Sequence, residues 1–241
     1  MGKQLIAAIA LGVAGTSAWA QSSASLLPEG SKDVTVAAII GNGPDAPGSA
    51  RRSSYLLPQF SVEWDNGVFL DGLSLGMKMS SEPLLQYGPL ISLDLGGHRN
   101  DGSKTRLRPV FGAFVNYQPL HELSLHAHTY APASSEGSGV LLNLQAGTQF
   151  MLAPHHFLAL GAGVNLVDRA YMQSDFGTAR YQPGGGLHNT YAYGRWSWEL
   201  NRKFTLVTSV QVSRLQGDAA ASPRTAQRTG VTNSLMLRYS Y

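Results

Sequence analysis

The chain has 241 residues with a formal net charge of +3, and it contains 43% hydrophobic residues, only 14% charged residues, 27 glycines and no cysteine. Globular proteins average about 25% charged residues, so this composition argues against an ordinary cytosolic enzyme, while its apolar and aromatic content argues against disorder. The lack of cysteine excludes a disulfide scaffold, a thiolate zinc site and a cysteine nucleophile, and the small positive charge does not suit a nucleic-acid-binding protein.

The first twenty residues have the form of a secretory signal peptide. A short positive start containing Lys3 precedes an apolar run over residues 5–14, and Ala18-Trp19-Ala20 has the small-x-small form of a cleavage site. The apolar run is too short to cross a bilayer as a helix, which needs about 20 apolar residues. We therefore expect cleavage after Ala20, export across the inner membrane and one mature domain over residues 21–241.

The rest of the chain alternates between apolar and polar residues with the period of two that strands show. In residues 140–152, for example, Leu144 and Phe150 belong to an apolar face, and Asn143 and Gln145 belong to a polar one. These segments are longer than the usual strand of about 5–6 residues and match tilted transmembrane strands of about 9–11 residues. The polar face suits a wet barrel lumen, and a soluble β-sandwich is the alternative.

Tight connections alternate with long ones, as the short periplasmic turns and long outer loops of outer-membrane barrels do. The predicted strands cover residues 32–40, 55–64, 67–80, 83–96, 107–118, 122–130, 139–152, 156–169, 187–200, 203–216 and 230–241. This set has eleven members, whereas bacterial barrels have an even number of strands, and the alternation loses phase near Asp71-Gly72. We therefore expect that one strand assignment is wrong and that it lies in residues 55–80. The predicted fold is all-β, a closed antiparallel up-and-down transmembrane barrel of twelve strands, with ten as the alternative.

The last predicted strand ends on an aromatic residue. Its outward face carries Val231, Leu235, Leu237, Tyr239 and Tyr241. This pattern resembles the terminal strand by which the outer-membrane assembly machinery recognises its substrates. Together with the signal peptide, it predicts a location in the outer membrane of a Gram-negative cell, in contact with lipid and lipopolysaccharide.

Inward-facing polar residues form a candidate lumen network. Its members are Asp94, Arg108, His126, His128, Arg195, Glu199 and Arg238. Unpaired charge away from bulk water is costly, so we expect these groups to pair across the lumen. A plug of paired side chains is the favoured interpretation, and an ion-selective constriction is the alternative.

Two histidines raise the question of catalysis. His126 and His128 share a strand face with Glu122 and Ser124, which suggests a zinc site or a Ser–His dyad as alternatives. No third ligand follows at metal spacing, and residues two apart on a strand are about 6.8 Å apart, whereas a direct hydrogen bond spans about 2.7–3 Å. We expect no enzymatic activity, no bound metal and no cofactor.

The segment from Ser213 to Pro223 resembles a strand-to-loop signature of the MipA/OmpV family of outer-membrane proteins, which has the form S-R-L-x-G-D-A-A-x-S-P. The matching residues are Ser213, Arg214, Leu215, Gly217, Asp218, Ala219, Ala220, Ser222 and Pro223. Residues 57–60 and 69–73 also resemble the early strand pair of that family. The likeness extends over most of the mature chain.

The resemblance implies an outer-membrane β-barrel that is not an enzyme. The namesake of the family looks like a scaffold that brings together a murein lytic transglycosylase and a bifunctional penicillin-binding protein in peptidoglycan remodelling. Other members resemble osmotically regulated porins or adhesins. We therefore expect a murein scaffold with those two enzymes as partners, and a small porin or surface adhesin of the OmpV type is the alternative.

Overall fold

A computed structural model of the chain describes residues 30–94, 108–133 and 139–241. Twelve strands of the described residues close into one antiparallel barrel, which confirms the predicted fold class and strand number. They are β1 (Lys32–Pro44), β2 (Arg52–Trp64), β3 (Val68–Asp71), β4 (Ser74–Met77), β5 (Leu85–Asp94), β6 (Arg108–Leu120), β7 (Leu123–Pro132), β8 (Leu141–Ala153), β9 (His156–Val167), β10 (Gly186–Glu199), β11 (Phe204–Leu215) and β12 (Thr229–Ser240). The predicted signal peptide, residues 1–20, lies outside the described residues.

Two short helices lie in the connections between strands. They are α1 (Arg169–Phe176), between β9 and β10, and α2 (Gly217–Ala221), between β11 and β12. No helix in the described part of the chain is long and apolar enough to cross a membrane.

The barrel closes between its first and last strands. β1 pairs with β2 on one side. On its other side it pairs with β12, from Thr35 opposite Ser240 to Asn42 opposite Asn233. Every other strand pairs with its neighbours in sequence. This up-and-down order brings residues from distant parts of the chain onto one inner surface, where the candidate site lies.

The prediction of a single strand over residues 67–80 was wrong, and this error accounts for the odd number of predicted strands. The segment is a hairpin, because the chain reverses at Gly72, whose φ of 58° lies in the left-handed region that favours glycine. The hairpin is also short. β3 pairs with β2 only over residues 61–63, and β4 pairs with β5 only over residues 90–92.

Beyond this hairpin, β2 continues as a strand that pairs only with β1 among the described residues. The backbone oxygen of Phe60 accepts a 2.8 Å hydrogen bond from the Gly72 amide. The N–H and C=O groups of the even-numbered residues of β2 therefore point toward the β3–β4 hairpin. Pro58 is the next such residue, and a proline has no N–H to leave unpaired. Proline is usual in strands at such edges.

The outer surface of the barrel is apolar. Leu144 is 39% exposed, Val210 45% and Phe60 53%, although all three lie within strands. Even-numbered residues of 140–152 and 204–212 face outward, as predicted. A continuous apolar surface around a closed barrel is the lipid-facing band of a membrane protein, so the soluble sandwich is excluded.

The two ends of the barrel differ in their connections. One end carries the tight turns at residues 65–67, 121–122, 154–155 and 200–203 together with the start of β1 and the end of β12, and the other end carries α1 and α2. Near the tight turns, His156 stacks on Trp196 and Trp198, with ring centroids 5.5 and 5.4 Å apart. These rings face outward on β9 and β10 and belong to an aromatic girdle of the kind found at membrane interfaces.

Candidate functional site

A small folded unit, here called the mouth lid, lies at the end of the barrel opposite the tight turns and consists of α1, α2 and residues 177–185. Its apolar contacts are tight, because Phe176 of α1 and Ala219 of α2 are 0% exposed. They pack with Met172 and with Leu215 at the end of β11. The lid is therefore a packed structure and not a loose loop.

Polar contacts join the two helices of the lid. Asp218 accepts a 2.6 Å hydrogen bond from the Gly184 amide through its carboxylate, and its backbone oxygen accepts one of 2.8 Å from the Tyr181 hydroxyl. The Ser222 hydroxyl donates to the backbone oxygen of Phe176 at 2.7 Å. Each bond joins the segment after β11 to the segment after β9.

The sequence signature from Ser213 to Pro223 is thus the part of the lid contributed by β11 and α2. Gly217 has a φ of 48°, so it allows the turn from the strand into the helix. Ala219 is fully buried against α1, where a larger side chain would not fit. This part of the signature therefore helps to assemble the lid. The sequence analysis recognised the signature but did not predict the lid.

Replacing the buried Ser222 should loosen the lid without opening the barrel. Ser222→Ala removes the partner of the Phe176 oxygen and the acceptor for the Arg224 amide at 3.2 Å. A buried group left without its partner costs about 1–3 kcal/mol. We expect faster protease cleavage within residues 177–185, with unchanged strand content. Ala221→Ser, at an exposed neighbouring position, is the control, and equal cleavage of both variants would contradict this role.

A ladder of amides crosses three strands inside the lumen. Asn143 of β8 donates to Asn165 of β9, and Asn165 donates to Asn189 of β10, both at 2.7 Å. Asn143 also donates to the Tyr191 hydroxyl at 2.8 Å. Sequence analysis placed Asn143 on an inward face but missed the ladder, because it depends on the register of the three strands.

Two glycines of β9 provide the space for the tyrosines beside this ladder. A Cβ on Gly161 would lie 2.6 Å from Tyr193 Cε1 and closer still to its Cζ and hydroxyl, and one on Gly163 would lie 2.5 Å from the Tyr191 hydroxyl. Both rings therefore lie flat across β9 and reach β8. There the Tyr193 hydroxyl accepts from Gln145 at 2.9 Å, and the Tyr191 hydroxyl donates to Gln145 at 3.0 Å.

Part of the candidate lumen network forms direct contacts. Arg108 donates to Asp94 at 2.9 Å across β5 and β6. His126 Nδ1 lies 2.7 Å from Asn116 Oδ1, and the His128 ring stacks on Phe114 with centroids 6.3 Å apart.

The other three members of the network are Arg195, Glu199 and Arg238. Glu199 Oε2 lies 3.3 Å from His155 Nδ1, because the tight turn before β9 brings His155 to the end of β10. Arg238 Nε is buried without a hydrogen-bond partner. The Arg195 guanidinium lies 5.8 Å from the centre of the Tyr193 ring. A functional role for the network stays a prediction.

The outer half of the lumen contains a cavity of about 250 Å³. Arg195, the amide ladder and the two histidines His126 and His128 line it from the consecutive strands β7 to β10. Residues 44–49 and 227–230 line its outer end. No group of three or more His, Asp or Glu side chains in the described residues is arranged to hold a metal ion.

The chain is similar to a protein family and to solved porin structures. The family model described as MltA-interacting protein MipA matches residues 36–241, and no curated protein matches the chain. Among solved structures, the NanC porin is 7% identical with a TM-score of 0.53, over 85% of this chain and 98% of that one. The KdgM porin is 9% identical with a TM-score of 0.45, over 86% and 99% of the two chains.

The likeness to the NanC porin supports the barrel fold alone, because the sequences are only 7% identical. The family match supplies the rest of the assignment, since it includes eleven complete strands, the lid and the signature segment. The protein is an outer-membrane β-barrel, and it belongs to the family of the MltA-interacting protein MipA.

Proposed function

We propose that this barrel is a scaffold that brings together a murein lytic transglycosylase and a bifunctional penicillin-binding protein in peptidoglycan remodelling. The observation that carries the proposal is the match of residues 36–241 to a family described by its interaction with MltA. The lumen supports a non-conducting role, because the amide ladder and the rings of Tyr191 and Tyr193 occupy part of it.

The end of the barrel with the tight turns is the surface that we assign to these enzymes, which act on murein in the periplasm. Twelve strands about 4.8 Å apart and tilted by about 40° enclose an end face of roughly 450 Å². A standard interface buries about 800 Å² on each partner. A complex formed through this face alone therefore belongs to the small, transient class, and its detection requires crosslinking.

Crosslinking in intact cells, followed by purification of a tagged chain from a detergent extract, tests the scaffold. We expect both murein enzymes to be enriched with the unmodified chain. Arg202→Glu reverses an exposed charge in the tight turn between β10 and β11 and should reduce the enrichment several-fold, whereas Arg180→Glu, an exposed change in the lid, should leave it unchanged. Absence of both enzymes, or equal enrichment with all three chains, would contradict the proposal.

A small pore is the second candidate function, and the 250 Å³ lumen cavity favours it. Planar-bilayer recording on the purified chain distinguishes the two functions. A large, stable conductance without enrichment of murein enzymes would favour the pore over the scaffold.

Neither candidate function uses catalysis, and the histidine region supports this part of the proposal. The Ser124 hydroxyl donates to the backbone oxygen of Gly147 at 3.3 Å, and His126 Nδ1 lies beside Asn116. Replacing both Ser124 and His126 with Ala should therefore leave enrichment of the murein enzymes intact, with a modest loss of stability. Mass spectrometry of lipid A gives the opposing test: an acyl-chain change caused by the unmodified chain and lost in Ser124→Ala would show that catalysis occurs.

A further inference from the structure

We propose that a basic patch on the outer surface of the barrel, at the end that carries the lid, binds a phosphate group of lipid A. Lipid A is the part of lipopolysaccharide that lies in the outer leaflet of the outer membrane. The patch, here called the rim patch, consists of Asn42 of β1, Arg52 of β2, Arg214 of β11 and Thr229 of β12. This inference is independent of the scaffold role, because the murein enzymes are assigned to the opposite end of the barrel.

The two arginines of the rim patch carry charges that no carboxylate of the described residues neutralises. The even-numbered residues of β2 and β11 face outward, and Arg52 and Arg214 are exposed members of these faces. Neither arginine takes part in an ion pair within the described part of the chain. The outward faces of β1, β2, β11 and β12 contain no Asp or Glu. The rim patch therefore favours an anion.

Hydrogen bonds to neutral oxygens hold the Arg52 guanidinium across β1. Its Nε donates to Asn42 Oδ1 at 2.8 Å, and its terminal nitrogens donate to the backbone oxygens of Val231 at 2.8 Å and Asn42 at 3.4 Å. The register of β1 against β12, continued two residues beyond Asn42, places Pro44 opposite Val231. Since proline has no N–H, Arg52 supplies the hydrogen bond to the Val231 oxygen. A guanidinium has five N–H groups, so two of them, and the whole charge, are left for a ligand.

The position of the Arg52 guanidinium brings it close to Arg214. On β12, Val231 lies opposite Val212, and Thr229 lies opposite Arg214. The contact of Arg52 with Val231 is thus one strand and two residues away from Arg214, a diagonal of about 8 Å at the usual strand spacing and rise. An arginine side chain can cover this distance. Both guanidinium groups can therefore contact one phosphate, which arginine binds through two parallel hydrogen bonds.

The height of the rim patch on the barrel matches the position of a lipid headgroup. At the tight-turn end, Phe204 of β11 packs on Tyr239 with ring centroids 5.1 Å apart, and Arg214 follows ten residues after Phe204. Ten residues of a strand tilted by about 40° rise by about 26 Å, and the apolar band of such barrels is about 25 Å tall. Val210 and Val212, 45% and 43% exposed, lie in this band. Acyl chains can pack there while the phosphate lies at the rim patch.

The charge of the rim patch favours lipid A over a phospholipid. The phosphates of lipid A are monoesters, and a phosphomonoester carries a charge of about −1.5 to −2 at pH 7. The phosphodiester of a phospholipid carries a single negative charge. Two guanidinium groups match the monoester more closely, and arginine is the residue best suited to bind phosphate in this way.

Native mass spectrometry of the detergent-solubilised chain tests the rim patch, with lipid A as the probe. We expect saturable binding of one lipid A. Phosphatidylglycerol, and lipid A from which both phosphates have been removed, should each bind at least about tenfold more weakly, because hydrogen bonds to charged groups are lost. Arg214→Gln should weaken binding of lipid A by a similar factor. Arg202→Gln removes the same charge from a tight turn at the opposite end and is the control.

Several outcomes would overturn the site. They are no saturable binding of lipid A, equal binding of phosphatidylglycerol or of the dephosphorylated lipid, and equal binding by Arg214→Gln and Arg202→Gln. Arg52→Gln should also weaken binding, and if its lost contacts prevent folding, Arg214→Gln and Arg214→Glu still decide the result. Failure of this test leaves enrichment of the murein enzymes unaffected, so the two proposals are tested separately.

Discussion

Val210→Arg should lower the free energy of unfolding by about 2–4 kcal/mol, the cost of an arginine on the lipid face near the bilayer midplane. Val210 lies near the middle of β11, faces outward and is 45% exposed. The guanidinium would have to enter hydrocarbon, where neither water nor a counter-charge is available. Urea titration of the chain refolded into lipid vesicles measures this change.

The matched control is the next residue on the same strand. Gln211 faces the lumen cavity, where water can solvate a charge, so Gln211→Arg should cost far less than Val210→Arg. A second pair on β8 should behave in the same way, because Leu144 faces outward and Gln145 faces inward. Equal costs within each pair would contradict the assignment of the two barrel faces.

Gly161→Ala should destabilise the barrel by about 1–3 kcal/mol, the usual cost of forcing an extra methyl group into a packed site. The new Cβ would overlap Tyr193, whose ring lies flat on β9. Displacing that ring also breaks the 2.9 Å hydrogen bond from Gln145 to the Tyr193 hydroxyl. The same urea titration reports the loss.

Gly194→Ala is the control, because a Cβ there would meet only the side chain of Leu160, at 3.4 Å. We expect it to be close to neutral. In the background Tyr193→Leu, the cost of Gly161→Ala should largely disappear, since the three atoms nearest to the added methyl all belong to Tyr193. If Gly161→Ala costs the same with and without the tyrosine ring, the ring is not the cause.

The sequence predicted the long strands well because each one alternates over many residues between lipid and lumen. β8 and β11 are examples, and even their outward-facing positions were identified. β3 and β4 were predicted as one strand, because four residues are too few to establish an alternating pattern. The turn at Gly72 also shifts the alternation between apolar and polar residues. The number of strands was recovered only from the requirement that it be even.

The site was less predictable, since its contacts join residues far apart in sequence. The segment from Ser213 to Pro223 was recognised, but its partner α1 lies about forty residues earlier, and nothing local indicates that the two segments pack. The pairing of Glu199 with His155 depends likewise on the register of β9 and β10. Patterns within one strand indicate which face a side chain occupies, whereas the identity of its neighbour requires the assembled barrel.

The scaffold proposal depends on how the barrel is oriented in the outer membrane, and the absence of native cysteine makes this orientation directly measurable. Single cysteines at Ala221, exposed in the lid, and at Arg202, exposed in a tight turn, provide the two reporters. With a membrane-impermeant maleimide, we expect Ala221→Cys to be labelled in intact cells and Arg202→Cys only after the outer membrane is permeabilised. Labelling of Arg202→Cys but not Ala221→Cys in intact cells would contradict the account, because the turns would then face away from the murein.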